Sequence, residues 1–305
     1  MDVHAWDLGA TLYLPATRDD LVGAILGGRH PDLRSAVICL EDAVHSLDVP
    51  LALARLQVLL AKLAAHSAEN ARPALFVRPR DAMMLAHILR FPGIEAIEGF
   101  VIPKATADSL PAYLAVLAFD HHLLMPTLET REVFDPAEMR RLREQLTAIQ
   151  ERVLAVRIGG NDLLQTLGAR RSTERTAYEG PLGPVITNLV ATYAPWGFSL
   201  SAPVFEHFGN LALLREEVER DLEHGLLTKT AIHPSQIGII HAAYAVDDAI
   251  YAEANQILSD DGRAVFSSRQ AMCEPATHRF WAQGTLRRAE AFGVRRSSHV
   301  TPIIA

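Results

Sequence analysis

Several patterns that place a chain in a common protein class are missing from this sequence. No run of about 18 apolar residues occurs, and the most apolar helical segment, 51–65, is interrupted by Arg55 and Lys62, which argues against a membrane span. The amino terminus carries Asp2 and Asp7 and has no basic region followed by an apolar one. A secretory signal is therefore not expected.

Cysteine is also scarce, with Cys39 and Cys273 as the only two. Two cysteines do not make a disulfide framework, which favours a reducing cytoplasm. Cys39 lies inside an apolar strand and is expected to be a small core residue. A Gly-x-Gly-x-x-Gly motif, a Walker loop and a nucleophile elbow are all absent. This argues against a dinucleotide oxidoreductase, a P-loop enzyme and a serine hydrolase.

The charge pattern does not favour binding to a polyanion such as nucleic acid. The net charge is −7, spread along the chain, and there is no basic stripe or zinc-finger spacing, so nucleic acid is not an expected partner. What the chain does have is length and apolar content. Its 305 residues are 49% hydrophobic, which is enough for one large domain with a substantial core.

Short apolar segments alternate with helical ones along the chain. This alternation predicts an α/β fold, a (β/α)₈ TIM barrel over residues 1–245, with residues 246–305 as a C-terminal helical lid or oligomerisation extension. One helix has a strong start signal in Asp135, Pro136 and Glu138. Segment 165–197 is predicted to be a long loop with one helical piece. The predicted strands are 11–14, 36–40, 74–77, 99–102, 123–125, 153–158, 198–202 and 230–232.

Polar side chains follow these strands at the end where barrel enzymes keep their chemistry. If the barrel is correct, they converge on one mouth. They are Glu41, Asp42, Arg78, Arg80, Lys104, Glu129, Asn161, Asp162, Glu206 and His233.

Glu129 and Asp162 are the most informative members of this set. Two acids at neighbouring strand ends suit a hard divalent cation such as Mg²⁺. The alternative is that each acid caps a helix or pairs with an arginine. A metal held there would stabilise an enolate, and the planar fork of Arg78 suits a substrate carboxylate. Lys104 is either catalytic or a partner of a neighbouring acid.

The histidines give weaker signals. His233 could bind substrate, but its ring could equally hydrogen-bond the loop that it begins. His121 and His122 are adjacent on a strand and point to opposite faces, so they do not make a zinc pair.

Seven segments together resemble the citrate lyase β-subunit-like family, within the Mg²⁺-dependent carbon–carbon lyases and aldolases. The resemblance covers most of the chain and is closest to a divergent branch such as the lyase-like proteins found with tellurite-resistance genes. The segments are 12–16 (Leu-Tyr-Leu-Pro-Ala), 39–44 (Cys-Leu-Glu-Asp-Ala-Val), 76–78 (Phe-Val-Arg), 101–104 (Val-Ile-Pro-Lys), 126–130 (Pro-Thr-Leu-Glu-Thr), 159–163 (Gly-Gly-Asn-Asp-Leu) and 231–236 (Ala-Ile-His-Pro-Ser-Gln).

The resemblance implies Mg²⁺ ligands at Glu129 and Asp162 and a substrate carboxylate on Arg78. Glu41 and Asp42 would support the site through water or through Lys104. It also implies a small carboxylate or acyl-CoA substrate. A homo-oligomer, either a trimer or built from dimers, is expected because the apolar residues Phe280, Trp281, Leu286 and Phe292 of the extension need a neighbouring barrel to cover them.

The carboxy-terminal part of the resemblance concerns a lid. In related lyases the lid supplies an acid to a neighbouring subunit, and Glu274 stands in the place of that acid. The alternative for Glu274 is a helix-entry residue before Pro275.

The chain departs from the family at Ala16, Arg80 and Arg131, near the expected substrate, so use of CoA is not carried over. The catalytic set is predicted to be Arg78, Glu41, Asp42, Lys104 and Glu274, with Arg78, Arg80 and His233 binding substrate. Three functions stay open: a lyase or aldolase, a thioester hydrolase on the same scaffold, and a non-catalytic binding subunit.

Overall fold

Eight parallel strands close into a barrel in a computed structural model that describes residues 3–66, 71–118, 120–259 and 264–296. Each strand pairs with the next, and β8 returns to β1 with Thr230 opposite Thr11. The predicted (β/α)₈ TIM barrel is confirmed. The strands are β1 (Ala10–Pro15), β2 (Ser35–Cys39), β3 (Ala74–Arg78), β4 (Gly99–Ile102), β5 (Leu123–Leu128), β6 (Val156–Ile158), β7 (Leu200–Ala202) and β8 (Thr228–Ala231).

Side chains on each strand alternate between the barrel interior and the surrounding helices. Val156 and Ile158 of β6 pack in a cluster with residues of the surrounding helices. Val37 of β2 and Met125 of β5 belong to a separate cluster that fills the barrel. Arg157, which lies between Val156 and Ile158, therefore faces inward.

The helices that precede and follow the strands cover the outside of the barrel. The predicted start of the fifth helix is present, because the Asp135 side chain accepts the N–H of Ala137 at 2.8 Å and Pro136 is the first helical residue. The helices are α1 (Leu21–Leu26), α2 (Val49–Ala64), α3 (Ala82–Ile88), α4 (Leu110–Val116), α5 (Pro136–Thr147), α6 (Gly160–Thr166), α7 (Leu182–Tyr193), α8 (Leu211–Glu223) and α9 (Ser235–Tyr244).

Helix α2 shows how the apolar pattern produces this arrangement. Ala52, Leu56, Leu59 and Leu63 recur every three or four residues and are buried, while Lys62 is exposed. The helix is amphipathic, as the sequence predicts. Across the described ranges, no helix combines the length and apolar character that a membrane crossing requires.

The prediction of one long loop over 165–197 is wrong in its extent. Helix α6 continues to Thr166 and α7 begins at Leu182, so only the intervening stretch is irregular. The Gly-Pro neighbourhood at 183–184 suggested a loop, but Pro184 lies in the first turn of α7, where proline is tolerated.

Residues 241–305 form a second compact unit, separate from Met1–Ile240. The predicted division after residue 245 lies five residues beyond this boundary. Helices α10 (Asp248–Leu258) and α11 (Pro275–Phe292) correspond to the two predicted helices.

The second unit is not purely helical, which corrects the prediction. Strand β9 (Val246–Asp247) pairs with β12 (Val294–Arg295), and β10 (Phe266–Ser268) pairs with β11 (Ala271–Cys273). The β10–β11 turn places Arg269 and Gln270 at φ of 49° and 64°. Turns with positive φ usually carry glycine or asparagine, so these residues gave no hairpin signal.

Candidate functional site at the barrel mouth

The carboxyl ends of the strands surround a cavity of about 600 Å³. Most of the acids and bases predicted from the strand ends lie in its wall or directly behind it. The charged residues in the cavity wall are Asp42, Arg78, Glu129, Arg157 and Asp162, and the other polar ones are Tyr13, Cys39, Thr127, Asn161, Gln165 and Thr230.

Arg78 lies at the centre of the charged cluster. Its Nη2 donates to Glu129 Oε1 at 2.9 Å and lies 2.7 Å from Glu41 Oε2, with Asp42 Oδ2 at 3.4 Å. Burial by itself would lower the pKa of Arg78, but Glu129, Tyr13 and Glu41 outweigh it and raise that pKa above its ordinary value. The guanidinium is therefore permanently charged and holds acids from β2 and β5 together.

Lys104 connects the same acids from the far side. Its backbone N–H donates to Glu129 Oε1 at 2.8 Å, and its Nζ contacts Glu41 and lies 3.2 Å from Asp42 Oδ1. Although partial burial lowers the pKa of Lys104, hydrogen bonds with Glu41 and then Asp42 raise it above the ordinary value. The residue has a φ of 48°, an unfavourable backbone region for a side chain with a Cβ. Such strain is common at functional sites.

The pKa values of Glu41 and Asp42, the two acids that contact these bases, shift in opposite directions. Burial and the hydrogen bond shared with Asp42 raise the pKa of Glu41. Burial also acts to raise the pKa of Asp42, but hydrogen bonds to Glu41 and Lys104 bring it below the ordinary value. The Asp42 side chain is 52% exposed, so it is open to the cavity solvent.

Glu129 is the most perturbed acid of the cluster. Burial raises its pKa to about 7, with further contributions from Asp162 and Glu41, while Arg78 and the Lys104 N–H oppose the shift. Burial and then Asp42 raise the pKa of Asp162 as well. Asp162 lies in the first turn of α6, shortly after the end of β6 at Ile158. The two predicted metal ligands thus lie in one cavity wall.

Gly159 lets the end of β6 come this close to Glu129. A Cβ on Gly159 would lie 2.4 Å from Glu129 Cβ and 2.6 Å from its Oε2. Real Cβ atoms do not come so near, so a larger residue here would displace the carboxylate. The Gly-Gly pair before Asn161 and Asp162 is therefore a steric requirement of the site.

The donor set fits a divalent cation. Four acids (Glu41, Asp42, Glu129 and Asp162) meet two bases (Arg78 and Lys104) at this end of the cavity, so the acids outnumber the bases by two. Within the described chain, the hydrogen bonds to Glu129 go to Oε1, so Oε2 is left for another partner. Carboxylate oxygens are the preferred ligands of Mg²⁺.

Arg80 does not reach the cavity wall. Its Nη2 contacts the carbonyl of Val44 and lies 3.5 Å from that of Glu41. It therefore supports the loop after β2 from behind and positions the acids of that loop. Arg80 therefore lies near the cavity but not in its wall. Direct binding of substrate by Arg80 stays a prediction.

His233 also lies outside the lining of the cavity. Its Nδ1 is 2.7 Å from Ser235 Oγ and accepts the Ser235 N–H at 3.2 Å, while its ring stacks on Phe208. The His233 ring therefore hydrogen-bonds the loop at the start of α9, which is the alternative to substrate binding given above. A substrate contact by His233 stays a prediction.

Glu274 lies in the second unit, immediately before α11. Thr277 Oγ1 lies 3.2 Å from Glu274 Oε2, and the Glu274 N–H donates to His278 Nδ1 at 3.1 Å. These contacts are those of a helix-entry residue. A role in a neighbouring subunit's site stays a prediction.

Two cavity residues were missed by the sequence argument. Arg157 is 1% exposed and Tyr13 contacts it with its ring 5.2 Å from the guanidinium carbon. Burial raises the pKa of Tyr13, opposed by Arg157 and Arg78, so its hydroxyl stays neutral. A charged residue within an apolar strand was the signal that could have indicated Arg157.

A second group of possible metal ligands lies at the opposite end of β5. Asp120, His121 and His122 come close enough to share an ion. The prediction that the two histidines point to opposite faces of a strand is wrong, because both precede β5 and their rings stack at 4.6 Å. Both ring nitrogens of His122 are already engaged, with Asp120 Oδ1 at 2.6 Å and Ile94 O at 3.0 Å. The group anchors the start of the strand, away from the cavity.

Comparison with known proteins agrees with this architecture. A family model described as a C–C bond lyase of the TIM-barrel fold matches residues 2–294. Curated relatives include the (3S)-malyl-CoA thioesterase of Cereibacter sphaeroides, 28% identical in an alignment of 215 residues that covers 66% of this chain and 71% of that protein.

Solved structures share the fold at lower identity. CitE from Mycobacterium tuberculosis, in complex with magnesium, acetoacetate and coenzyme A, has a TM-score of 0.68 at 21% identity, covering 92% of this chain and 98% of that one. A citrate lyase from Burkholderia xenovorans has a TM-score of 0.72 at 18% identity, covering 100% and 97%. Magnesium, the cofactor expected from the sequence, is present in the first of these. Since the family model spans nearly the whole sequence, the chain belongs to the family of C–C bond lyases of the TIM-barrel fold.

Proposed function

We propose that this protein is a Mg²⁺-dependent lyase or aldolase that acts on a small carboxylate, or on its acyl-CoA thioester, through an enolate. The observation that carries the proposal is the cluster at the cavity mouth, where four acids lie beside only two bases. Glu129 and Asp162 would hold the ion. When bound, Mg²⁺ supplies a Lewis acid for negative charge that develops on a substrate oxygen.

The residues of the chain hold this arrangement in place. Arg78 and the Lys104 N–H fix Oε1 of Glu129, which directs Oε2 away from both donors. Lys104 Nζ and Arg78 together fix Glu41, and Glu41 Oε2 in turn accepts the Asp42 N–H at 2.8 Å. The acids are therefore preorganised before a substrate arrives, which is what electrostatic catalysis requires.

Cleavage needs one proton to leave and one to return. A base takes the proton of the substrate hydroxyl, and the electron pair of the carbon–carbon bond passes to the carbon next to the carbonyl. The resulting enolate then takes a proton on that carbon. Asp42 in the cavity wall is one group for this exchange. Glu274 of a neighbouring copy, as the family resemblance implies, is the other.

Thioester hydrolysis on the same scaffold is the second candidate, because the curated relatives are named (3S)-malyl-CoA thioesterase. A non-catalytic binding subunit is disfavoured. A binding subunit has no need of strained backbone at Lys104 beside a buried acid whose pKa is raised to about 7.

A homo-oligomer is part of the proposal. Phe280 of α11 is 88% exposed and Trp281 is 45% exposed in the single chain. Large apolar side chains that stay in water commonly mark an interface. A second copy of this chain would cover them, in a trimer or a dimer-based assembly.

Deuterium exchange tests the enolate directly. In D₂O with Mg²⁺, the native protein should exchange the methyl protons of pyruvate or of an acetyl thioester, as followed by NMR. Glu129→Gln should slow exchange by at least about a hundredfold, since removal of one key electrostatic group costs on the order of 3–4 kcal/mol. Glu219→Gln, on the exposed face of α8, is the matched control. Equal exchange by native protein and Glu129→Gln would contradict the proposal.

The products of a malyl thioester separate the two enzymatic candidates. A lyase releases an oxo acid and an acetyl thioester, whereas a hydrolase releases a free thiol and malate. Thiol release at the rate of substrate loss would favour the hydrolase.

A further inference from the structure

Arg157 is a buried charge that the proposed chemistry does not use. It is 1% exposed and lies among the inward-facing residues of the barrel, in the cavity wall. Its Nη2 donates to Thr230 Oγ1 at 2.6 Å and its Nη1 lies 3.6 Å from Met125 Sδ. Neither partner carries a charge.

The other buried arginines show how unusual this is. Arg78, Arg143 and Arg171 each have a carboxylate oxygen within 4.0 Å, at Glu129, Glu144 and Glu217 respectively. In the described parts of the chain, Arg157 has none. A buried ion without a counter-ion is costly, by several kcal/mol. Retaining such a group in the cavity wall points to an anion that arrives with a ligand.

The neighbours of Arg157 in the sheet add a second observation. Thr127 of β5 and Ser201 of β7 are its direct register partners, so all three side chains face the same way. Thr127 Oγ1, Arg157 Nε and Ser201 Oγ are all buried and find no hydrogen-bond partner among the described residues. Three adjacent strands therefore each present an unsatisfied polar atom, an arrangement that native interiors normally avoid.

We propose that Arg157, with Thr127, Thr230 and the hydroxyl of Tyr13, is an anion subsite that receives a second carboxylate of the substrate. This rests on the proposed function, in which Glu129 and Asp162 of the same cavity hold the metal. Arg78 is already compensated by three acids, whereas the guanidinium of Arg157 has donors to offer. A planar fork of this kind suits a carboxylate.

The position of the subsite limits the substrate. Arg157 and Glu129 line the same cavity. A substrate that meets the metal through one carboxylate and the oxygen next to it needs a further carboxylate to pair with Arg157. A monocarboxylate would leave Arg157 unpaired, so the subsite selects a dicarboxylic acid over the matching monocarboxylic acid.

Malate and lactate form a matched pair of probes, because both are 2-hydroxy acids and only malate has the second carboxylate. Calorimetry with Mg²⁺ should show malate binding native protein at least tenfold more tightly than lactate. In Arg157→Gln the ratio should fall below about threefold while lactate binding changes little. Arg143→Gln, a buried arginine that stacks on Trp196, should keep the native ratio.

A second readout guards against a variant that fails to fold. Thr230→Val removes one partner of Arg157 at similar size and should lower the malate-to-lactate ratio part of the way. Arg157→Met should melt at a higher temperature than native protein without ligand, because it removes an uncompensated buried charge.

Each outcome decides something. The subsite would be overturned if native protein and Arg157→Gln had the same ratio of malate to lactate affinity. A ratio near one in native protein would overturn it as well. A lower melting temperature for Arg157→Met together with an unchanged ratio would show a structural role and overturn it too. Malate selectivity that persists without Mg²⁺ would leave the subsite standing while contradicting the metal-dependent function.

Discussion

Two groups of buried charged residues in this barrel differ in their balance of acids and bases. Outside the strands, a closed network joins β8 to α8 and to the irregular segment after α6. Lys229 Nζ lies 2.9 Å from Glu217 Oε1 and 2.8 Å from Asp221 Oδ2, and Arg171 contacts Glu217. Tyr178 donates its hydroxyl to Asp221 at 2.7 Å. Two acids meet two bases, and the charges balance.

The barrel mouth has the opposite composition, with four acids on two bases. The acids are Glu129, Asp162, Glu41 and Asp42, and the bases are Arg78 and Lys104. In the same cavity, the two guanidinium nitrogens of Arg157 contact Met125 and Thr230, and none of the described acids lies beside it. A balanced network of this kind stabilises the fold, whereas the unequal groups are the places where we propose that a cation and an anion bind.

Breaking the balanced network should have the largest effect. Lys229→Met would leave Glu217 and Asp221 buried with one base between them. Removing one partner of a buried ion network costs about 3–5 kcal/mol of unfolding free energy. Urea unfolding measures the loss, with the surface variant Arg220→Met as the matched control.

The mouth should respond differently to the same kind of change. Glu129→Gln keeps an oxygen for Arg78 and removes an excess negative charge, so unliganded stability should hold or rise. A loss as large as that of Lys229→Met would erase the distinction between the two groups.

Arg78→Lys sharpens the role of the central arginine. The ammonium keeps the charge but loses the planar fork, so one of the contacts to Glu41 and Glu129 is broken. A charged hydrogen bond is worth about 1.5–3 kcal/mol, so kcat/KM should fall roughly tenfold to a hundredfold. Steady-state kinetics on a thioester or oxo acid provides the measurement. Native kinetics in Arg78→Met would show that the arginine only supports the fold.

The pKa shifts predict how Mg²⁺ affinity depends on pH. Burial raises the pKa of Glu129 to about 7, and the metal binds the ionised carboxylate. Affinity should therefore rise roughly fivefold from pH 6 to pH 7 and only about twofold more by pH 9. The raised pKa of Asp162 acts in the same direction. Calorimetry at several pH values tests this, and a flat profile over pH 5–7 would be incompatible with Glu129 as a ligand.

Exchange of Glu274 between subunits gives the smallest expected signal. Inactive Glu274→Gln mixed with inactive Asp162→Asn should regain a fraction of native activity, because mixed oligomers would contain some intact sites. Light scattering confirms that the copies mix. No recovery in mixed oligomers would leave Glu274 as the helix-entry residue that its contact with Thr277 describes.

The sequence predicted the barrel because buried parallel strands are short apolar runs and strand ends carry polar residues. The acids of the mouth were found by this rule, since Glu129 follows β5 directly and Asp162 lies one step past β6. Arg80 shows where the rule stops. It follows the same strand as Arg78, but the loop turns its side chain onto the carbonyl of Val44.

The remaining misses come from contacts between distant parts of the chain. The charge of Arg157 within an apolar strand is visible in the sequence, but which groups lie beside its guanidinium depends on distant residues such as Met125 and Thr230. From the sequence alone, Lys229 looks like a solvent-exposed residue. Only the fold places Glu217 and Asp221 beside it. The β10–β11 hairpin lacks the glycine or asparagine that its turn would usually require, so only tertiary packing specifies it.

A Mg²⁺ titration tests the central claim most directly. Calorimetry near pH 8 should show one Mg²⁺ bound per chain in native protein and in the control Glu219→Gln. Binding should weaken at least about tenfold in Glu129→Gln and in Asp162→Asn, while circular dichroism shows both variants folded. Native affinity in both variants would contradict the assignment of the uncompensated acids at the mouth to a metal.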